Sequence, residues 1–403
     1  MTSLFTTRRP SQRYFTLDAL RSLAIALVLC RHALQPLPWP ALLSRHPGSP
    51  LLQTGAYLAA TGWIGVDLFF VLSGFLIGSQ LLRFFENGQH PAQLWRFFAH
   101  RALRILPAYY TLLLLIQFAL PRNGLLREAV FFQHIPQHMH WHWLLLQDYT
   151  GAYIYPVLWS LGVEEKFYLM APLLIAGLLL ASRRAGRHRH TLILIALSVL
   201  LVIPAAARLI TCLHNPSESV EMYRHFRFSM LHLRCDGLIA GLMVAFVLRY
   251  LRARLQWLNA PRLPGALMLL GLLVVWRTSL WLPGDMDPTF SVVALSVTGL
   301  LLAVGFGLMV LGGVLLPNPS AGWLGSRIFY GIATISYSLY LLHSMLVAPV
   351  SQAWFAFSYP LSWPVEAQLA AYLLLFCLAA GIIATGYYGL VEKPFLVLKK
   401  RIQ

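Results

Sequence analysis

The sequence predicts an all-α fold: a polytopic integral membrane helical bundle of about ten transmembrane helices, with both termini cytoplasmic. Three observations carry that expectation. The 403 residues are 58% hydrophobic and only 11% charged, whereas a soluble chain carries roughly a quarter charged residues. Apolar runs of about 20 residues, long enough to cross the hydrocarbon core of a bilayer, recur along the chain. The basic residues, finally, are unevenly shared between alternate loops.

The apolar runs place spans near 14–35, 56–82, 105–120, 158–181, 191–212, 229–250, 264–282, 290–316, 329–350 and 366–391. With the N-terminus inside, the cytoplasmic segments hold 20 of the 31 Lys and Arg residues and the outer loops hold five. That is the positive-inside pattern, so the net charge of +17 reads as topology and attraction to anionic membrane lipid, with no nucleic acid as partner. The first span follows a basic, polar N-terminus without a small-residue cleavage site and contains Arg21, so it is not a cleaved signal. No soluble domain interrupts the spans. Residues 1–403 are expected to form one transmembrane domain with no appended soluble domain, so any chemistry falls within or beside the bundle. No internal repeat is visible. The four cysteines form no pair motif, although Cys212 and Cys235 both lie near the outer face, where an oxidising compartment permits a disulfide.

The first span, Tyr14 to Gln35, carries Arg21 and His32 eleven residues apart. They share one helix face, about three turns or roughly 16 Å apart along the axis. A charge inside a membrane costs about 2.5–3.5 kcal/mol on insertion scales and normally points into the bundle or a wet cavity, which makes this face a candidate site. The other reading is that Asp18 neutralises Arg21 as a structural pair while His32 sits at the outer interface.

The second span buries Asp67, an acid that needs a partner such as an arginine, and then Ser73-Gly74, small residues that let helices approach closely. In the inner loop that follows, Arg101 and Arg104 at i, i+3 project on one face of a helix leading into the third span. Two forked guanidiniums at that spacing suit a phosphate or pyrophosphate, or alternatively lipid headgroups. Pro107 fits a helix start or a kink. The outer loop contains HIPQHMHWHW; a zinc site on its histidines would lack carboxylate and thiol ligands, and an interfacial Trp- and His-rich helix accounts for it better.

The fourth span opens with Trp159, Ser160, Glu164, Glu165, Lys166 and Tyr168. Glu164 and Tyr168 share a face at i, i+4, whereas Glu165 projects about 100° away. The sixth span opens with Arg234 and Asp236, which either line an outer vestibule or pair with each other's neighbours. In the ninth, Tyr337, Tyr340 and His343 lie partly along a common stripe, equally readable as helix glue or as chemistry. VEKPF, with Glu392, Lys393 and Pro394, reads as a helix terminus closing the tenth span.

Taken in order, these stretches resemble the acyltransferase 3 family of membrane proteins, which includes bacterial O-acetyltransferases of envelope and secreted polysaccharides. The resemblance is carried by R-x10-H at Arg21 and His32, VDLFFVLSGFLI at Val66 to Ile77, and RxxRIxP at Arg101 to Pro107. LWSLGVEEKFY at Leu158 to Tyr168, ISYSLYLLH at Ile335 to His343 and the closing EKP follow. It spans almost the whole chain. One departure is Lys166, where the family commonly has Gln after the paired glutamates; a cation there pairs with Glu165 or reads an acidic sugar.

The resemblance implies a multi-pass protein of the bacterial inner membrane, with no permanently bound cofactor and no metal. It implies acyl-CoA, most often acetyl-CoA, as co-substrate and a carbohydrate or lipid-linked glycan as acceptor. On that reading CoA enters from the cytoplasm with its phosphates against Arg101, Arg104 and Arg21. His32 takes the proton of the acceptor hydroxyl or carries the acyl group, and Glu164 holds the imidazolium or orients the acceptor. Asp67, Ser73, Trp159, Ser160 and Tyr168 complete the expected substrate-binding set. A pantetheine arm extends roughly 15 Å from ordinary bond lengths, close to the separation of Arg21 from His32. The rival readings are a transporter or flippase for a glycan or lipid-linked intermediate, in which the same ionisable groups form a substrate or proton path, and an acyl-CoA sensor without turnover.

Overall fold

The structure, a computed structural model, describes residues 14–88, 93–119, 135–150, 154–214, 229–252, 254–281, 288–316, 327–358 and 362–399. Every regular element among them is helical. The helices are α1 (Phe15–Leu34), α2 (Trp39–Arg45), α3 (Pro50–Thr61), α4 (Ile64–Glu86), α5 (Leu94–Leu114), α6 (Ile135–Trp143), α7 (Gln147–Thr150) and α8 (Trp159–Ala181). They continue with α9 (Arg189–His214), α10 (Leu231–Arg234), α11 (Asp236–Phe246), α12 (Leu263–Ser279), α13 (Pro288–Leu315), α14 (Arg327–Ser358), α15 (Val365–Tyr387) and α16 (Lys393–Lys399).

Five helical stretches, containing α4, α9, α13, α14 and α15, are long and apolar enough to cross a membrane. The helix α12 is apolar but shorter. By length, α1 and α8 are their equals, at 20 and 23 residues. What sets them apart is charge: Asp18, Arg21 and Arg31 in one, Glu164, Glu165 and Lys166 in the other.

The helix α4 lies at the centre, packed on α1, α8, α11 and α13, with Leu68, Phe70, Val71 and Leu72 all buried. Ser73-Gly74 does what small residues do between membrane helices. A Cβ on Gly74 would overlap the Leu238 carbonyl of α11, and one on Gly241 would overlap the Val71 carbonyl of α4, so each helix supplies the other's gap. Outside this pair, α13 joins α12 and α9 to α11, and α14 joins α15 to α1.

Buried charges tie the same helices together. Arg234 Nη2 lies 3.0 Å from Asp67 Oδ2, with its guanidinium over the rings of Trp63 and Trp159. Arg208 Nη2 donates to Asp236 Oδ2 at 2.8 Å, Nε to the Ser296 carbonyl at 2.9 Å and Nη1 to the Leu233 carbonyl at 2.6 Å. Asp67 therefore has the arginine partner its burial demands, and Arg234 and Asp236 pair with each other's neighbours. Lys166 departs from expectation: its ammonium bonds Asp148 and the Leu145 carbonyl, not Glu165. Burial pushes the Asp148 carboxyl above the ordinary carboxylate range, and Lys166 opposes that shift.

Several expected boundaries move. The run 56–82 is not one helix: α3 ends at Thr61 and α4 begins at Ile64, with Gly62 at the junction against the Leu27 carbonyl of α1, where a side chain would not fit. The run 229–250 breaks at Cys235, between the two residues whose side chains reach different partners. Pro107 neither starts nor ends α5, which runs through it from Leu94. VEKPF is not a terminus either: a π-turn over Tyr388–Glu392 carries α15 into α16, with Glu392 buried and bonded by Ser338. HIPQHMHWHW is helical from Ile135, with Pro136 in the first turn; His134 lies outside the described residues, among which no metal-binding cluster occurs. Cys212 and Cys235 are both free thiols, so the disulfide is not formed.

Candidate active site

The helices α1, α4, α5, α8 and α14 enclose a cleft of about 750 Å³ that is open in part to solvent. Seven of the ten expected catalytic and substrate-binding residues line it: Arg21, Ser73, Arg101, Arg104, Ser160, Glu164 and Tyr168. The i, i+3 pair on α5 presents both guanidiniums to the cleft, and α1 brings Arg21 to meet them. Among the described residues none of these three arginines makes an ion pair. Arg101 instead lies over the Tyr168 ring, 4.6 Å from its centroid.

Opposite the cations stands one fixed carboxylate. Ser73 donates to Glu164 Oε1 at 2.8 Å and Tyr168 donates to Oε2 at 2.8 Å. The second contact follows from the i, i+4 spacing on α8; the first needs α4 and α8 side by side. Two hydroxyl donors orient the carboxylate into the cleft and stiffen it there. Of the two roles expected for Glu164, orienting the acceptor is the one its place in the cleft favours, since among the described residues no hydrogen bond joins it to His32.

His32, in the last turn of α1, does not line this cleft. Its ring meets that of His343, with centroids 4.7 Å apart. Sharing a helix face with Arg21 did not put it in the same cavity, because α14 crosses α1 at that level. Asp67 and Trp159 are also displaced from the expected binding set: the first is spent on Arg234, and the second packs on Phe70 and under Arg234.

What sequence reasoning undervalued is α14. Tyr340 lines the cleft, shares a 2.6 Å hydrogen bond with Ser160 and leans its ring on His343, centroid to centroid 5.8 Å. Tyr337 lines it too while donating to the Ile105 carbonyl at 3.0 Å. The stripe is both glue and site, and its spacing of three residues was the available signal.

Helices of membrane length around an internal cleft of three arginines, without an ion pair among the described residues, and one braced carboxylate define a membrane-type bundle with a basic interior site. Residues 14–388 match the acyltransferase 3 family, described as an acyltransferase domain, and the chain belongs to that family. The O-acetyltransferase OatA of Staphylococcus aureus is 26% identical over 368 residues, covering 86% of this chain and 55% of that protein. The peptidoglycan O-acetyltransferase OatA of Listeria monocytogenes is 29% identical over 185 residues, covering 41% of this chain and 25% of that protein. The chain thus spans about half or less of the length of these relatives. No solved structure matches it.

Proposed function

We propose that this protein is a membrane O-acyltransferase that moves an acetyl group from acyl-CoA, entering from the cytoplasm, to a hydroxyl of a cell-envelope or exported carbohydrate. The observation that carries this reading is the convergence of Arg21, Arg101 and Arg104 on one cleft, three cations against the single fixed carboxylate of Glu164. A ligand with several phosphates supplies what the protein leaves out. The positive-inside count supports ten spans with both termini cytoplasmic, which sets the basic end of the cleft toward the cytoplasm and the last turn of α1 toward the outside.

His32 takes the proton of the acceptor hydroxyl as its oxygen attacks the thioester carbonyl. The carbon–sulfur bond breaks, and the proton passes on to the departing CoA thiolate, so atoms and charge balance. If the imidazole carries the acyl group first, acyl label stays on purified protein in the absence of acceptor. Glu164, held by Ser73 and Tyr168, orients substrate within the cleft.

The test is His32→Ala in proteoliposomes given radiolabelled acetyl-CoA on one side and glycan acceptor on the other. Product formation is expected to fall by about 10²-fold or more with thermal unfolding unchanged. Undiminished transfer overturns the assignment, and movement of unmodified glycan without any acyl donor replaces the reading with a transporter.

A further inference from the structure

From the meeting of α14 with α1 we infer that His343 is a positioning residue: it holds His32 in the tautomer with its proton on Nδ1, which makes Nε2 the reacting nitrogen. The inference rests on the reading of His32 as base or acyl carrier, and deepens it.

Nδ1 of His343 lies 2.8 Å from the Tyr340 carbonyl and 3.1 Å from that of Leu339. Carbonyl oxygens only accept, so this nitrogen carries the proton. A neutral imidazole has one N–H, which leaves Nε2 of His343 with a lone pair, 3.2 Å from Nδ1 of His32. That Nδ1 also lies 2.9 Å from the Val28 carbonyl in its own helix. It therefore faces two acceptors, and both are satisfied only when it bears the hydrogen. The reverse arrangement, a cationic His343 donating from Nε2, requires a bare Nδ1 on His32 and sets two lone pairs against each other at the Val28 carbonyl.

The consequence is chemical. With Nδ1 protonated, the lone pair of His32 sits on Nε2, the nitrogen farther from the helix backbone. Whichever route transfer takes, this atom removes the hydroxyl proton or attacks the thioester carbon. An acceptor behind an imidazole fixing tautomer and ring orientation is a general device for tuning histidine; here a second imidazole and a backbone carbonyl share the task. His343 is itself braced. It is fully buried and rests on Tyr340, whose hydroxyl donates to the Val157 carbonyl at 2.8 Å, so the support runs back to the wall of the cleft.

Nitrogen NMR of protein labelled with ¹⁵N-histidine in nanodiscs separates protonated from bare ring nitrogens, and His32→Ala identifies the His32 signals. Wild-type protein near neutral pH is expected to show His32 with Nδ1 protonated and Nε2 bare. His343→Phe, which keeps a ring but offers no acceptor, is expected to shift His32 toward the Nε2–H form and to lower kcat by about 10²-fold or more at an unchanged KM for acetyl-CoA. His343→Gln, whose amide oxygen reaches the former Nε2 position, is expected to keep the Nδ1–H signal and to hold kcat within about tenfold of wild type. A wild-type spectrum with Nε2 protonated, or a His343→Phe spectrum identical to wild type, overturns the inference. Should His343→Phe fail to fold, the wild-type spectrum alone decides. If His32→Ala retains transfer, the functional reading falls, while the spectrum still judges the pairing.

Discussion

Two sets of arginines lie inside this bundle and differ in what faces them. Arg208 and Arg234 are each bonded to a buried aspartate, whereas Arg21, Arg101 and Arg104 surround a cleft and, among the described residues, pair with no acid. Removing a guanidinium from water is costly, and a protein-supplied carboxylate with further hydrogen bonds offsets much of that cost. The first set therefore belongs to the scaffold. In the second, three like charges are held together against their mutual repulsion, an arrangement that becomes favourable when an anion arrives from outside. Burial of charge alone does not mark a site; the excess of three cations over the one carboxylate, Glu164, that shares their cleft does.

The sharpest way to break this contrast is Arg208→Ala. Its side chain is fully buried and makes three hydrogen bonds, so its loss strands Asp236 and two carbonyls. Stability should drop by about 3–5 kcal/mol, read as a lowered unfolding temperature in nanodiscs. Replacing both partners with apolar residues, Arg208→Met with Asp236→Leu, should recover most of it. A single mutant as stable as wild type would mean the pair is no scaffold.

Arg101→Gln probes the other set and should give the opposite signature. Loss of one charge-assisted contact is worth about 1.5–3 kcal/mol, so the KM for acetyl-CoA should rise by roughly 10- to 100-fold. The unfolding temperature should hold or rise, since a like charge has been removed. A fall in stability without a change in KM would place Arg101 with Arg208 instead.

How much of this was legible in the sequence follows the same division. That Asp67 needs an arginine was readable from burial alone; that the arginine is Arg234, 167 residues away, was not, because helix adjacency is decided by packing such as the Gly74 and Gly241 gaps. Local spacing did well wherever one helix carries the answer, as with Arg101 and Arg104 or Glu164 and Tyr168. It misled when extended along α1, where periodicity put Arg21 and His32 on one face but the crossing of α14 separates them into two environments. The helix breaks at Gly62 and Cys235 were not read either, since both interrupt runs that are apolar on each side. Lys166 was expected to pair with Glu165 or to read an acidic sugar, and bonds Asp148 instead because the segment carrying α7 folds back over α8.

A third buried group sharpens the comparison from the side of pH. The short helix α6 docks on α5 through the Tyr109 hydroxyl, which donates to the His142 carbonyl at 2.8 Å, and through the stacked rings of Tyr110 and Trp143. This brings His142 to 1% exposure, with Nε2 lacking a hydrogen-bond partner among the described residues. Burial holds its pKa down to about 4, against an ordinary 6.5. The unfolded or undocked state therefore takes up a proton first: stability is fully present above pH 6.5, declines as pH falls from there toward 4, and levels off below. At pH 5 the loss should be about 2 kcal/mol. Hydrogen exchange of α6 amides should accelerate between pH 7.5 and 5 after correction for intrinsic rates, and His142→Phe should abolish the acceleration. Unlike Arg208, this imidazole has no acid bonded to it among the described residues, and unlike Arg101 it does not line the cleft, so undocking is the expected outlet for its protonation.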